Sequence, residues 1–95
     1  MNSVDWDIVS FVTSSTIRFK VLIALNKEKL IPSELAKKFH YPISHISSTL
    51  KDLEEKKLVV CLTKMRRKNK FFTITEEGKR ILEFINRETS TTFVE

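Results

Sequence analysis

Residues 43–75 read ISHISSTLKDLEEKKLVVCLTKMRRKNKFFTIT, and a change of period inside this stretch decides the fold. Ile43, Ile46, Leu50 and Leu53 recur at spacings of three and four, which predicts an amphipathic helix over 43–57. The pattern then switches. Residues 58–63 are apolar, β-branched and too few for a helix, and KFFTIT over 70–75 reads the same way, so two strands are expected to flank a basic turn over 64–69. On strict alternation Leu58, Val60 and Leu62 face the core, and Cys61 points outward or into an interface.

Upstream of this stretch, Pro32 suits a first helical turn, and Leu35, Ala36 and Phe39 predict a short helix over 32–39 that breaks at His40-Tyr41-Pro42. Ile17, Val21, Leu22, Ala24 and Leu25 predict a helix over 16–26, and Val4, Ile8, Phe11 and Val12 another over 4–12, with Ser3 as N-cap and Asp5 in its first turn. Downstream, Thr75 caps a helix whose first turn carries Glu76 and Glu77 and whose apolar face is Ile81, Leu82, Phe84 and Ile85. Gly78 in that first turn costs helix stability, which is explained if something packs closely there. The tail over 89–95 lacks a helical pattern and is expected to fray or extend.

Two helices joined by a tight turn and followed by a strand pair make a helix-turn-helix with a wing. The expected class is α+β, mainly α with a small β-hairpin: an N-terminal helix over 1–13, a winged core over 14–75, a C-terminal helix over 76–88 and a tail over 89–95. A chain of 95 residues with 41% hydrophobic residues forms one small domain, which excludes a two-domain enzyme and leaves little volume for a closed catalytic pocket. A binding module is favoured.

Charge is more informative by position than in total. Residues 1–55 carry seven basic and seven acidic side chains, residues 56–70 carry seven bases and no acid, and residues 71–95 carry three bases and five acids. The whole excess of +5 therefore sits in one window. At its centre Lys64, Arg66, Arg67, Lys68 and Lys70 crowd into seven residues at a strand-to-strand tip, where mutual repulsion is unfavourable unless a polyanion relieves it. Opposite the apolar stripe of the preceding helix lie Ser44, Ser48, Lys51 and Glu55, with His45, Ser47 and Asp52 at the margins. Small hydroxyls and a Lys can reach base edges or phosphates without steric demand, so Ser44, His45, Ser47, Ser48 and Lys51 are the candidate base-reading set.

Four stretches now carry a family resemblance: SSTIRFKVLIAL (14–25), IPSELAKKF (31–39), ISHISSTLKDLEEKKLV (43–59) and FFTITEEGKRIL (71–82). In this order and spacing, over about half the chain, the sequence resembles the winged helix-turn-helix transcriptional regulators of the MarR/ArsR type, particularly short archaeal ones. The resemblance implies a dimeric regulator of double-stranded DNA, with the helix from Ile43 in the major groove and the wing on backbone or minor groove. Two positions depart from the pattern. Ile31 stands where a Thr or Ser cap is common, and Lys57 replaces the common Gly after the recognition helix. The metal-sensing members carry Cys clusters, and Cys61 is the single Cys here, so no metal sensing is expected.

Other chemistry finds little support. His40 and His45 have no second Cys or carboxylate cluster to complete a metal site, Cys61 has no His-plus-acid partnership, and one Gly excludes a phosphate-binding Gly loop. No cofactor is expected. His40 reads as a helix-end residue. The apolar runs fall short of a membrane span of about 18 residues, and the acidic N-terminus is unlike a signal peptide, so a soluble cytoplasmic protein is expected. The two terminal helices have wide apolar faces that monomers seldom leave exposed, which makes Trp6, Val9, Phe11, Ile81, Phe84 and Ile85 the candidate dimerisation set. A winged-helix protein-interaction module and a non-specific architectural DNA binder remain the alternatives to a sequence-specific regulator.

Overall fold

A computed structural model describes residues 6–65 and 67–94, the last seven by backbone course alone. Among these residues the elements run α1 (Trp6–Thr13), α2 (Thr16–Lys27), α3 (Pro32–Phe39), α4 (Ile43–Glu55), β1 (Val59–Cys61), β2 (Phe72–Ile74) and α5 (Glu76–Val94). The expected order of helices, strands and wing is the order observed. Ser3, Val4 and Asp5 lie outside the described residues.

Each junction has a local cause. Ser15 accepts the Arg18 N–H at 3.4 Å and caps α2, and α1 and α2 meet at a 101° bend. No single helix among the described residues is long and apolar enough to cross a membrane. Ile31 offers no capping oxygen to α3, so the start of that helix is held from the other side, by the Glu34 carboxylate accepting the Ile31 N–H at 3.0 Å. His40 adopts the left-handed conformation (φ 60°) and the Tyr41 N–H reaches back to the Ala36 carbonyl, which ends α3 and turns the chain into Pro42, the N-cap of α4.

The exit from α4 is a Schellman turn on a non-glycine residue. Lys57 has φ 63°, its N–H bonds the Glu54 carbonyl, and the Leu58 N–H bonds the Leu53 carbonyl at 3.0 Å. The helix therefore stops at Glu55 rather than 57. Leu58 is the apolar residue that this turn lays against Leu53, and both are fully buried.

That turn also corrects the strand register. Leu58 belongs to the helix end, so the alternation begins one residue later: Val59 and Cys61 are buried, Val60 is half-buried and Leu62 is 51% exposed. Cys61 points inward, against the expectation. The strands are shorter than expected, pairing antiparallel as Val59–Ile74, Val60–Thr73 and Cys61–Phe72. A third partner was not legible: Leu30, just before α3, exchanges both backbone hydrogen bonds with Phe72 at 3.1 and 2.9 Å. The returning limb of the wing is thereby tied to the start of the helix-turn-helix.

One core fills the space between α2, α4, the hairpin and α5, with Val21, Leu22, Leu25, Leu35, Ile46, Leu50 and Leu53 at its centre. Ile43, expected on the α4 stripe, is instead 53% exposed, because it faces an open groove rather than the core. Gly78 is buried where the expectation required close packing: a Cβ there would clash with the Leu58 carbonyl oxygen and lie 2.6 Å from Ile74 Cγ1. The tail departs from expectation too. α5 continues through Val94, since a helix already nucleated by packed Ile81, Leu82 and Ile85 gains a hydrogen bond for each residue it adds.

Candidate nucleic-acid interface

With Ile46, Thr49, Leu50 and Leu53 buried, α4 turns Ser44, His45, Ser47, Ser48 and Lys51 to the surface, all of them exposed. The His45 ring packs edge-on against Tyr41, centroids 5.5 Å apart, so the turn between α3 and α4 orients this side chain.

Ser47, Lys51 and Glu54 repeat at four and three residues and form one wall of a groove of roughly 480 Å³. The start of α3 (Ile31, Pro32, Ser33) closes one end, and the returning limb of the wing supplies Arg67, Lys68, Asn69 and Lys70. Ile43, Leu50 and Phe72 form an apolar floor. The limb comes back toward α4 because Asn69 takes the left-handed conformation (φ 54°) and because Phe72 is pinned to Leu30. At the base of the loop the Leu62 N–H donates to Phe71 O at 2.7 Å and the Phe71 N–H to Thr63 Oγ1 at 2.9 Å.

Among the described residues, no carboxylate lies within ion-pairing distance of Lys51, Lys64, Arg67, Lys68 or Lys70. The ion pairs Lys79–Glu76 and Arg80–Glu77 belong to α5. Lys51, Arg67, Lys68 and Lys70 outnumber Glu54, the one carboxylate in the lining, so the groove carries a net positive charge. Five of the ten residues expected to contact DNA meet here: Ser47, Lys51, Arg67, Lys68 and Lys70. Ser44, His45 and Ser48 lie on the exposed face of α4 beside it, Lys64 is exposed on the outgoing limb, and Arg66 lies outside the described residues. Glu54, Asn69, Ser33 and Tyr41 were missed. The spacing of Glu54 from Ser47 and Lys51 could have found it; the other three depend on where α3 and the wing fold back.

The six candidate dimerisation residues separate into two groups. Val9, Ile81 and Ile85 are interior to this chain, where the crossing of α1 over α5 covers them. At the surface Trp6 is 64% exposed and stands edge-on to Phe84 at 5.2 Å. Phe11 is half-buried under two cations, Arg18 at 4.0 Å and Lys56 at 5.5 Å from its ring centre, and the Arg18 guanidinium also donates to the Phe11 carbonyl. Among the described residues no three His, Cys, Asp or Glu side chains come together as metal ligands.

Residues 6–87 match the family described as the N-terminal domain of the methanogenesis regulatory protein FilR1. The chain belongs to this family. In fold the FilR1-type domain is similar to the adhesin competence repressor AdcR of Streptococcus pyogenes, with a TM-score of 0.69 and 18% identity over 82% of this chain. It spans 59% of that AdcR chain. HlyU of Vibrio cholerae superposes with a TM-score of 0.70 and 23% identity, covering 85% of this chain and 88% of HlyU. Lactococcus lactis ZitR gives 0.71 and 16%, covering 93% and 68%. No curated protein matches the sequence. At these identities the likeness establishes the fold: the FilR1-type domain is a winged helix of the transcriptional-regulator type, with five helices and a two-stranded antiparallel hairpin among the described residues.

Proposed function

We propose that the chain is a sequence-specific regulator of double-stranded DNA, with α4 in the major groove and the wing on the flanking backbone and minor groove. The observation that carries this reading is the groove in which unpaired Arg67, Lys68 and Lys70 face Ser47 and Lys51. Phosphate oxygens satisfy cations that the fold leaves without carboxylates, and Arg can do so in a bidentate manner. The hydroxyl-rich face of Ser44, Ser47 and Ser48, with His45 and Lys51, then reaches base edges. Names such as repressor, borne by AdcR, agree with this role.

The working unit is a homodimer. Trp6 and Phe84 present an aromatic pair that the protomer leaves half open, and a two-fold axis near it sets paired recognition helices about 34 Å apart on a near-palindromic site. A sedimentation experiment at micromolar concentration that finds the 11.1 kDa species alone overturns the dimer.

Fluorescence anisotropy of labelled duplex DNA across a salt series tests the function. Log affinity should fall with log salt by about 0.9 per phosphate contacted, and Arg67→Ala/Lys68→Ala should flatten that slope by nearly two contacts. A selected duplex should bind more tightly than a random one; equal affinities support an architectural binder. Failure of the native chain to bind any duplex at low salt removes the reading and leaves a protein-interaction module.

A further inference from the structure

Met65 is 95% exposed, more than Trp6 (64%), Ile43 (53%) or Leu62 (51%), the other exposed large apolar side chains among the described residues. Its loop has two unlike limbs. Arg67, Lys68, Asn69 and Lys70 return along the groove beside α4, whereas Lys64 and Met65 on the outgoing limb take no part in that lining. The stem beneath them is fixed by the Leu62–Phe71 and Phe71–Thr63 hydrogen bonds, so the tip is carried on a paired ribbon. An apolar side chain thus stands clear of the protein on a loop whose base is fixed by these bonds, between Lys64 on one limb and the exposed Arg67 and Lys68 on the other.

We infer that Met65 is a wedge that enters the DNA minor groove and partly unstacks one base step, an inference that rests on the DNA reading above. A thioether has no attraction for phosphate, so charge contact alone gives it no role at this tip. Its unbranched chain is thin and flexible enough to pass between base pairs, and its polarisable sulfur suits contact with aromatic faces. Lys64, Arg67 and Lys68 neutralise phosphates on the two sides of the narrow groove and hold the wedge in place. Insertion of this kind kinks a duplex by about 20–90° toward the major groove, in which α4 lies. The step under the wing should be pyrimidine–purine, since TA and CA/TG steps unstack most readily, and this gives the wing a sequence preference without a hydrogen bond to a base.

The test uses the full chain and a duplex of about 30 base pairs selected by it from a random pool, with a fluorophore at each end. Energy transfer between the ends should rise when the native protein binds. Met65→Ala should abolish that rise and weaken binding roughly tenfold while leaving the salt slope unchanged, because it removes apolar burial and no charge. Met65→Leu should retain the bend. The exposure of Met65 means that none of these variants perturbs the core. A duplex that is bound yet stays straight, or a bend that survives Met65→Ala, overturns the wedge and leaves the DNA reading standing. Absence of binding by the native chain overturns both.

Discussion

At the near end of the hairpin, Lys57, Leu58, Thr75 and Gly78 satisfy one another. The Thr75 hydroxyl donates to the Lys57 carbonyl at 2.7 Å and accepts the Gly78 N–H at 3.0 Å, while the Thr75 N–H meets the Leu58 carbonyl against which Gly78 packs. At the far end of the same ribbon, Lys64, Arg67, Lys68 and Lys70 are without carboxylate partners among the described residues, and Met65 stands clear of the body. The near end locks α4, the strands and α5 into one unit; the far end turns its side chains to solvent. Cations crowded at one end of a ribbon, with no carboxylate beside them, repel one another, and that repulsion is what the proposed contact with a polyanion relieves.

The contrast predicts opposite sensitivities. Gly78→Ala should produce the largest effect, a destabilisation of about 2–3 kcal/mol in urea unfolding, because the new methyl meets backbone at Leu58 and Cγ1 of the buried Ile74. The sign decides: in an open helical turn the same change stabilises by about 1 kcal/mol, and that outcome would mean that the near end is loosely packed. Thr75→Ala should cost about 1–2 kcal/mol through loss of the cap and of the bond to Lys57, and Thr75→Ser should restore most of it.

Lys57→Gly should act the other way, raising the unfolding free energy by about 0.5–1 kcal/mol, since φ 63° is a conformation that glycine adopts without strain. Unchanged or lowered stability would show that the lysine stem contributes packing that outweighs its backbone strain. At the far end, Arg67→Ala/Lys68→Ala should shift stability by no more than about 0.5 kcal/mol while flattening the salt dependence of DNA binding. If that variant instead unfolds the chain, the wing is structural and the distinction between the two ends fails.

Much of this architecture was legible because it is periodic. Ile46, Leu50 and Leu53 define α4 by spacing alone, the β-branched runs define the strands, and the acid-free window over 56–70 locates the cationic tip. Gly78 even advertised a close contact, later found at Leu58. Each misreading has its own cause. Cys61 and Leu62 were assigned to the wrong sides because Lys57, a residue that seldom takes positive φ, ends α4 early and hands Leu58 to the helix. Ile43 was placed in the stripe on spacing, though it lines the open groove between α4 and the wing and stays 53% exposed. Val9, Ile81 and Ile85 were assigned to a partner because a sequence does not tell whether an apolar face meets its own chain or a second copy.

The chain by itself determined its helices, its hairpin, its cationic window and its exposed hydroxyl face, because each follows from residue type repeated at a local period. Tertiary structure alone decided that the returning limb lies beside α4. That placement depends on the Leu30–Phe72 bridge, which joins residues 42 positions apart, and on the left-handed turn at Asn69. A contact of that separation leaves no periodic trace, since its stability comes from backbone groups that every residue carries.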